Sequence, residues 1–79
     1  MIATIDKALI CDVKNGTYNN VAYKKLLVYD KGRLMSLTIK DDHIEDLCLD
    51  NISHYARIIC SMSMFDGKSK FTVSSIEIL

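Results

Sequence analysis

Proline and tryptophan are absent from these 79 residues, and glycine occurs three times. No stretch is therefore rich enough in Pro, Gly or Ser to form a linker, and the length bounds a single domain over residues 1–79. No run approaches the roughly 20 apolar residues that cross a bilayer as a helix, so no membrane partner is expected. Met1-Ile2-Ala3-Thr4-Ile5-Asp6-Lys7 lacks a basic segment followed by an apolar one, and the reading expects no signal peptide and a cytoplasmic protein. Cysteine is odd in number (Cys11, Cys48, Cys60), with no CxxC and no Cys/His pairing at metal-ligand spacing. Core filling in a reducing compartment explains these thiols better than a disulfide or a zinc site. There is no GxSxG elbow, Walker loop, GxGxxG or HExxH, and His43 and His54 have no partners at catalytic spacing. The expectation is a binding module, not an enzyme, with no cofactor and no metal.

Charge of one sign is missing in sum but not in distribution. Lys and Arg number ten and Asp and Glu number ten, for a net charge of zero. Five of those acids (Asp41, Asp42, Glu45, Asp46, Asp50) fall within ten residues, leaving ten basic residues against five acids elsewhere. Such asymmetry can separate a positive face from a negative one.

What is present is alternation. Residues Tyr55 to Phe65 place Ala56, Ile58, Cys60, Met62 and Met64 on one parity, which predicts a long strand with that face in the core. Asp66-Gly67 turns the chain back through Phe71-Thr72-Val73 to Ile76-Glu77-Ile78-Leu79. Phe71 and Val73 share one parity and Ile76 and Ile78 the other, so a β-bulge is expected at Ser74-Ser75. Nearer the start, Ile2 to Val13 predicts a first strand with apolar residues on both faces in its middle, as in one that bends and pairs with two partners. Lys14 to Asn20, rich in Asn and carrying Gly16, reads as a loop. Val21 to Tyr29 and Arg33 to Lys40 predict a hairpin about Asp30-Lys31-Gly32, with Met35, Leu37 and Ile39 as the core face of the later strand.

After Lys40 the period changes. Ile44, Leu47 and Cys48 stand at i, i+3 and i+4, one side of a short helix that Asp41 or Asp42 can cap. A solvated first turn of helix accounts for the acids better than metal binding, since EF-hand spacing is missing.

Three strands, a short helix and two strands predict an all-β fold, a five-stranded OB-like Greek-key barrel with the helix between strands three and four. An SH3-like barrel would put its helical turn between the last two strands instead. The closing segment Gly67-Lys68-Ser69-Lys70-Phe71-Thr72-Val73-Ser74-Ser75-Ile76-Glu77-Ile78 is similar to the last strand of many single-stranded-DNA-binding OB domains. In length and strand order the whole chain resembles the small single-stranded-DNA-binding proteins of phages and mobile elements. That resemblance implies sequence-tolerant binding of single-stranded nucleic acid, DNA favoured, in replication, transfer or recombination.

Binding of that kind needs rings on which bases stack and cations that follow phosphates. Tyr23, Lys25 and Tyr29 share the strand-two face opposite Leu26 and Val28, and Arg33 begins strand three. Arg57 and Phe65 take the non-core parity of strand four, Tyr18 sits in the first loop, and Lys68 and Lys70 follow the last turn. Each residue has a plainer explanation: outer-face tyrosines raise β propensity, and lysines keep a strand soluble. Their coincidence on the expected face favours binding. The alternative is a protein-interaction adaptor or a homodimer, for which Val21 and Leu27 on the tyrosine face would supply apolar contact.

Overall fold

The computed structural model describes the backbone of residues 1–79 and every side chain except that of Phe65. Its elements are β1 (Ile2–Tyr18), β2 (Val21–Asp30), β3 (Arg33–Thr38), α1 (Asp42–Leu49), β4 (Tyr55–Phe65) and β5 (Lys68–Ile78). The strands form a closed barrel in the order β1-β2-β3-β5-β4, with β4 pairing back onto β1. All neighbours are antiparallel except β3 and β5, which meet in a parallel pair at Thr38 and Thr72. This is the OB-like Greek-key barrel, with its helix between the third and fourth strands.

Each hairpin closes through two residues with positive φ: Asn19 and Asn20 (51° and 64°), Lys31 and Gly32 (48° and 82°), Asp66 and Gly67 (50° and 76°). This is the type I′ arrangement, whose twist matches that of the flanking strands. Asn and Asp tolerate the left-handed region because their short polar side chains bond locally. The expected loop over Lys14–Asn20 is thereby corrected. Only Asn19-Asn20 turns, and Lys14 to Tyr18 continue β1 in register with Val21 to Lys25.

β1 serves two partners, β4 over Ile2–Leu9 and β2 over Leu9–Tyr18. Bulges between Ile5 and Ala8 and between Ile10 and Asp12 switch the inward parity twice. Ala8 and Ile10 are consequently fully buried, with Ile5 and Val13 packed against the same core. The apolar residues on both faces of this strand are explained by that switching. The bulge expected at Ser74-Ser75 is present: Cys60 pairs with Val73 and Ile59 with Ser75, leaving Ser74 unopposed.

The core joins Leu26, Val28, Leu37, Ile39, Ala56, Ile58, Cys60 and Val73 from the strands to Ile44 and Cys48 from α1. The Asp41 carboxylate accepts the His43 backbone N–H at 2.8 Å, so Asp41 is the cap, and α1 closes one end of the barrel with Ile44 and Cys48 inward. The inward parity of β4 does not remain core to its end. Met62 is half-buried and Met64 is 64% exposed, because that end of the hairpin projects past the barrel.

Two arms result. Gly16–Tyr18 with Val21–Tyr23 form one, and Ser63–Phe65 with Lys68–Lys70 form the other, each pairing only within itself. No helix is long and apolar enough to cross a membrane.

Candidate nucleic-acid interface

Strand alternation puts Tyr23, Lys25, Leu27 and Tyr29 on the outer face of β2, since Leu26 and Val28 are buried inside. Directly opposite on β1 stand Gly16 against Tyr23 and Lys14 against Lys25, with Tyr18 against Val21 at the tip. Gly16 decides the pose of Tyr23. A Cβ added there would collide with the Tyr23 phenol ring, so the ring lies over the bare backbone of the neighbouring strand. An aromatic ring covering a cross-strand glycine gives the sheet back the packing that glycine lacks. Tyr23 still keeps 42% of its surface exposed.

Lys25 is half-buried, and its Nζ donates to Thr38 Oγ1 at 2.9 Å across the β2–β3 pair. Lys14 faces it from the other neighbour, and like charges opposite one another on a sheet repel. The register Thr38–Thr72 then brings β5 alongside, and with it Lys70. Between the two arms lies an open groove of about 470 Å³ whose wall includes Tyr23, Lys24, Lys25, Lys40, Lys70 and Asp42. At its helical border Lys24 pairs with Asp42 and with Glu45 Oε1 at 3.1 Å. Hydrogen bonding to Asp42, and then to Glu45, holds the Lys24 ammonium above the ordinary lysine range.

The groove thus unites Tyr23, Lys25 and Lys70, three side chains singled out on sequence. Tyr18 lies on the same face at the arm tip, and Lys68 follows the turn of the opposing arm. Tyr29 sits six residues from Tyr23, about 20 Å along the strand at ~3.3 Å per residue. It is 48% exposed and flanked by Leu9 and Leu34, with no lysine directly opposite. Arg33 pairs with Asp30, on the parity of Val28, so it projects from the other side of the sheet and does not join Tyr29 as expected. Arg57 stands opposite Glu77 on β5, with 4.0 Å between Nη1 and Oε1, away from the groove wall. The Phe65 side chain lies outside the described residues.

Lys14, Thr38 and Lys40 were missed by sequence reasoning. For Lys14 a signal existed: treating Asn19-Asn20 as a two-residue turn and counting back puts it opposite Lys25. Among the described residues, no three His, Cys, Asp or Glu side chains are gathered as metal ligands would be. Comparison of the chain with family models, with curated proteins and with solved structures finds no match.

Proposed function

We propose that this protein binds single-stranded nucleic acid, DNA favoured, without sequence preference, in the groove between the two arms. The observation that carries the reading is the joining of an exposed, pre-oriented Tyr23 ring to Lys25 and Lys70 in one open channel. Stacking on Tyr23 tolerates any base because every base has a π-face. Lys25, Lys70 and the facing Lys14 supply phosphate contacts, and the Lys14–Lys25 repulsion is relieved when a polyanion lies between them. Tyr18 and Lys68 extend the track along the arms, and Tyr29 extends it along β2. The strand order and length that resemble the phage and mobile-element proteins support a role in their DNA metabolism. Free thiols at Cys11, Cys48 and Cys60 agree with work in a reducing cytoplasm.

Fluorescence anisotropy with fluorescein-labelled oligo-dT tests this. Binding is expected at low salt, weakening on a log–log plot with a slope of about −0.7 for each phosphate neutralised. No binding at low salt removes the proposal.

A second reading has its own observation. Val21 (66% exposed) and Leu34 (63% exposed) lie on the same outer face as the tyrosines, as an interface with a protein partner or a second copy would require. Light scattering showing a dimer, combined with no oligonucleotide binding, would favour it.

A further inference from the structure

The groove contains more lysine than it can use. Lys24, Lys25, Lys40 and Lys70 are in its wall, and Asp42 is the one acidic residue among them. Asp42 is 83% exposed and Lys24 32% exposed by side chain, so their ion pair sits at the surface where an incoming anion meets it. Glu45 differs. Its side chain is only 13% exposed, and it holds Lys24 from the helix side through one oxygen.

An ammonium has three protons, and Glu45 occupies one of them. We infer that Asp42 is an internal competitor for phosphate: it occupies Lys24 at the border of the groove and keeps that lysine out of the nucleic-acid track. Glu45 anchors the Lys24 side chain in place, and Asp42 takes a second proton from the exposed side, setting its negative charge where a backbone phosphate would approach. The groove therefore binds with one phosphate contact fewer than its lysines allow. This rests on the nucleic-acid reading above.

The test is the same oligo-dT titration, run over a salt series on the whole protein. Asp42→Asn keeps the shape of the side chain and leaves the Asp41 cap of α1 untouched. It is expected to tighten binding about fivefold at low salt, the scale of one unit-charge pair in high dielectric. The salt slope should steepen by about 0.7, one further phosphate. Asp46→Asn removes the same charge from the same helix at a residue with no ion pair among the described residues, and is expected to change affinity by less than about twofold. In a Lys24→Gln background, Asp42→Asn should bring no gain.

Equal tightening by Asp42→Asn and Asp46→Asn would reduce the effect to net charge and overturn the inference. A gain that survives without Lys24, or no gain at all, would do the same. If the unmodified protein binds and Asp42→Asn does nothing, only this inference falls. If the unmodified protein does not bind, the proposed function falls and takes the inference with it.

Discussion

The body of the barrel and the arms that project from it are built from the same strands with the same alternation, yet they bury side chains very differently. Within the body, Ile58 and Cys60 of β4 and Leu26 and Val28 of β2 are fully buried. A few residues further along the same strands and on the same inward parity, Met64 and Ala22 are exposed. Alternation makes one face apolar, but burial needs other strands across the barrel, and the arms have none. The body stores the stability of the molecule, and the arms are left with exposed rings, cations and backbone edges that a ligand can use.

The contrast is sharpest in truncations. Leu37→Ala or Ile58→Ala removes a fully buried side chain and should cost about 2–5 kcal/mol, read as a lower midpoint in urea. Met64→Ala, on the same inward parity as Ile58 but outside the barrel, should change stability by no more than about 0.5 kcal/mol. Comparable losses at Ile58 and Met64 would mean that the arm is packed against something in solution.

Tyrosine on β2 sharpens the comparison on the binding side. Tyr23→Ala should weaken oligo-dT binding by about 1–3 kcal/mol, the value of one stacked base, and lower stability by about 0.2–1 kcal/mol as the ring leaves Gly16 uncovered. Tyr29→Ala, next to Leu9 and Leu34 and away from the groove lysines, should cost clearly less. Gly16→Ala tests the pose of Tyr23: the added methyl must push the phenol ring aside, so part of the Tyr23→Ala loss should reappear. Equal losses at Tyr23 and Tyr29 would move the centre of the interface onto the whole β2 face.

The smallest expected effect separates body from surface by chemistry. Burial pushes the Cys48 thiol up to about 11 and raises the Cys60 thiol as well, whereas Cys11 is only half-buried. At pH 8 a disulfide reagent should modify Cys11 first and reach Cys48 and Cys60 only on unfolding. The sign for stability follows from the raised values. The unfolded chain releases its Cys48 proton near 9.0, while the folded one holds it to about 11. That contribution is therefore complete below about pH 9 and is lost progressively as the pH rises toward 11. Rapid labelling of Cys48 in the folded protein would show that α1 opens readily from the end of the barrel.

Much of this fold was legible in the residues, and the legible parts are local. The parity of Tyr55–Phe65, the helical spacing of Ile44, Leu47 and Cys48, and the phase slip that marks the bulge at Ser74 each need only a few neighbouring side chains to be seen. The candidate site was legible only in pieces: Tyr23 and Lys25 stand two residues apart on one face of strand two, and Lys70 follows the last turn, with nothing local to join them. Reading Asn15 and Gly16 as loop residues hid Lys14, because nothing near them shows that the turn itself needs only Asn19 and Asn20.

By itself, then, the sequence determined the order of strands and helix, the places where the chain turns, and the inward face of β2, β3 and the body of β4. These follow from side-chain period and from backbone conformations that single residues tolerate. Tertiary structure alone decided which face of β1 is buried at each point, since two bulges reset its parity as it passes from β4 to β2. It also decided where the barrel stops along β4, and that Lys70 of β5 comes beside Tyr23 and Lys25 of β2. The physical reason is register. A closed barrel sets it by pairing distant strands, here through the contact of Thr38 with Thr72, and no local pattern carries that information.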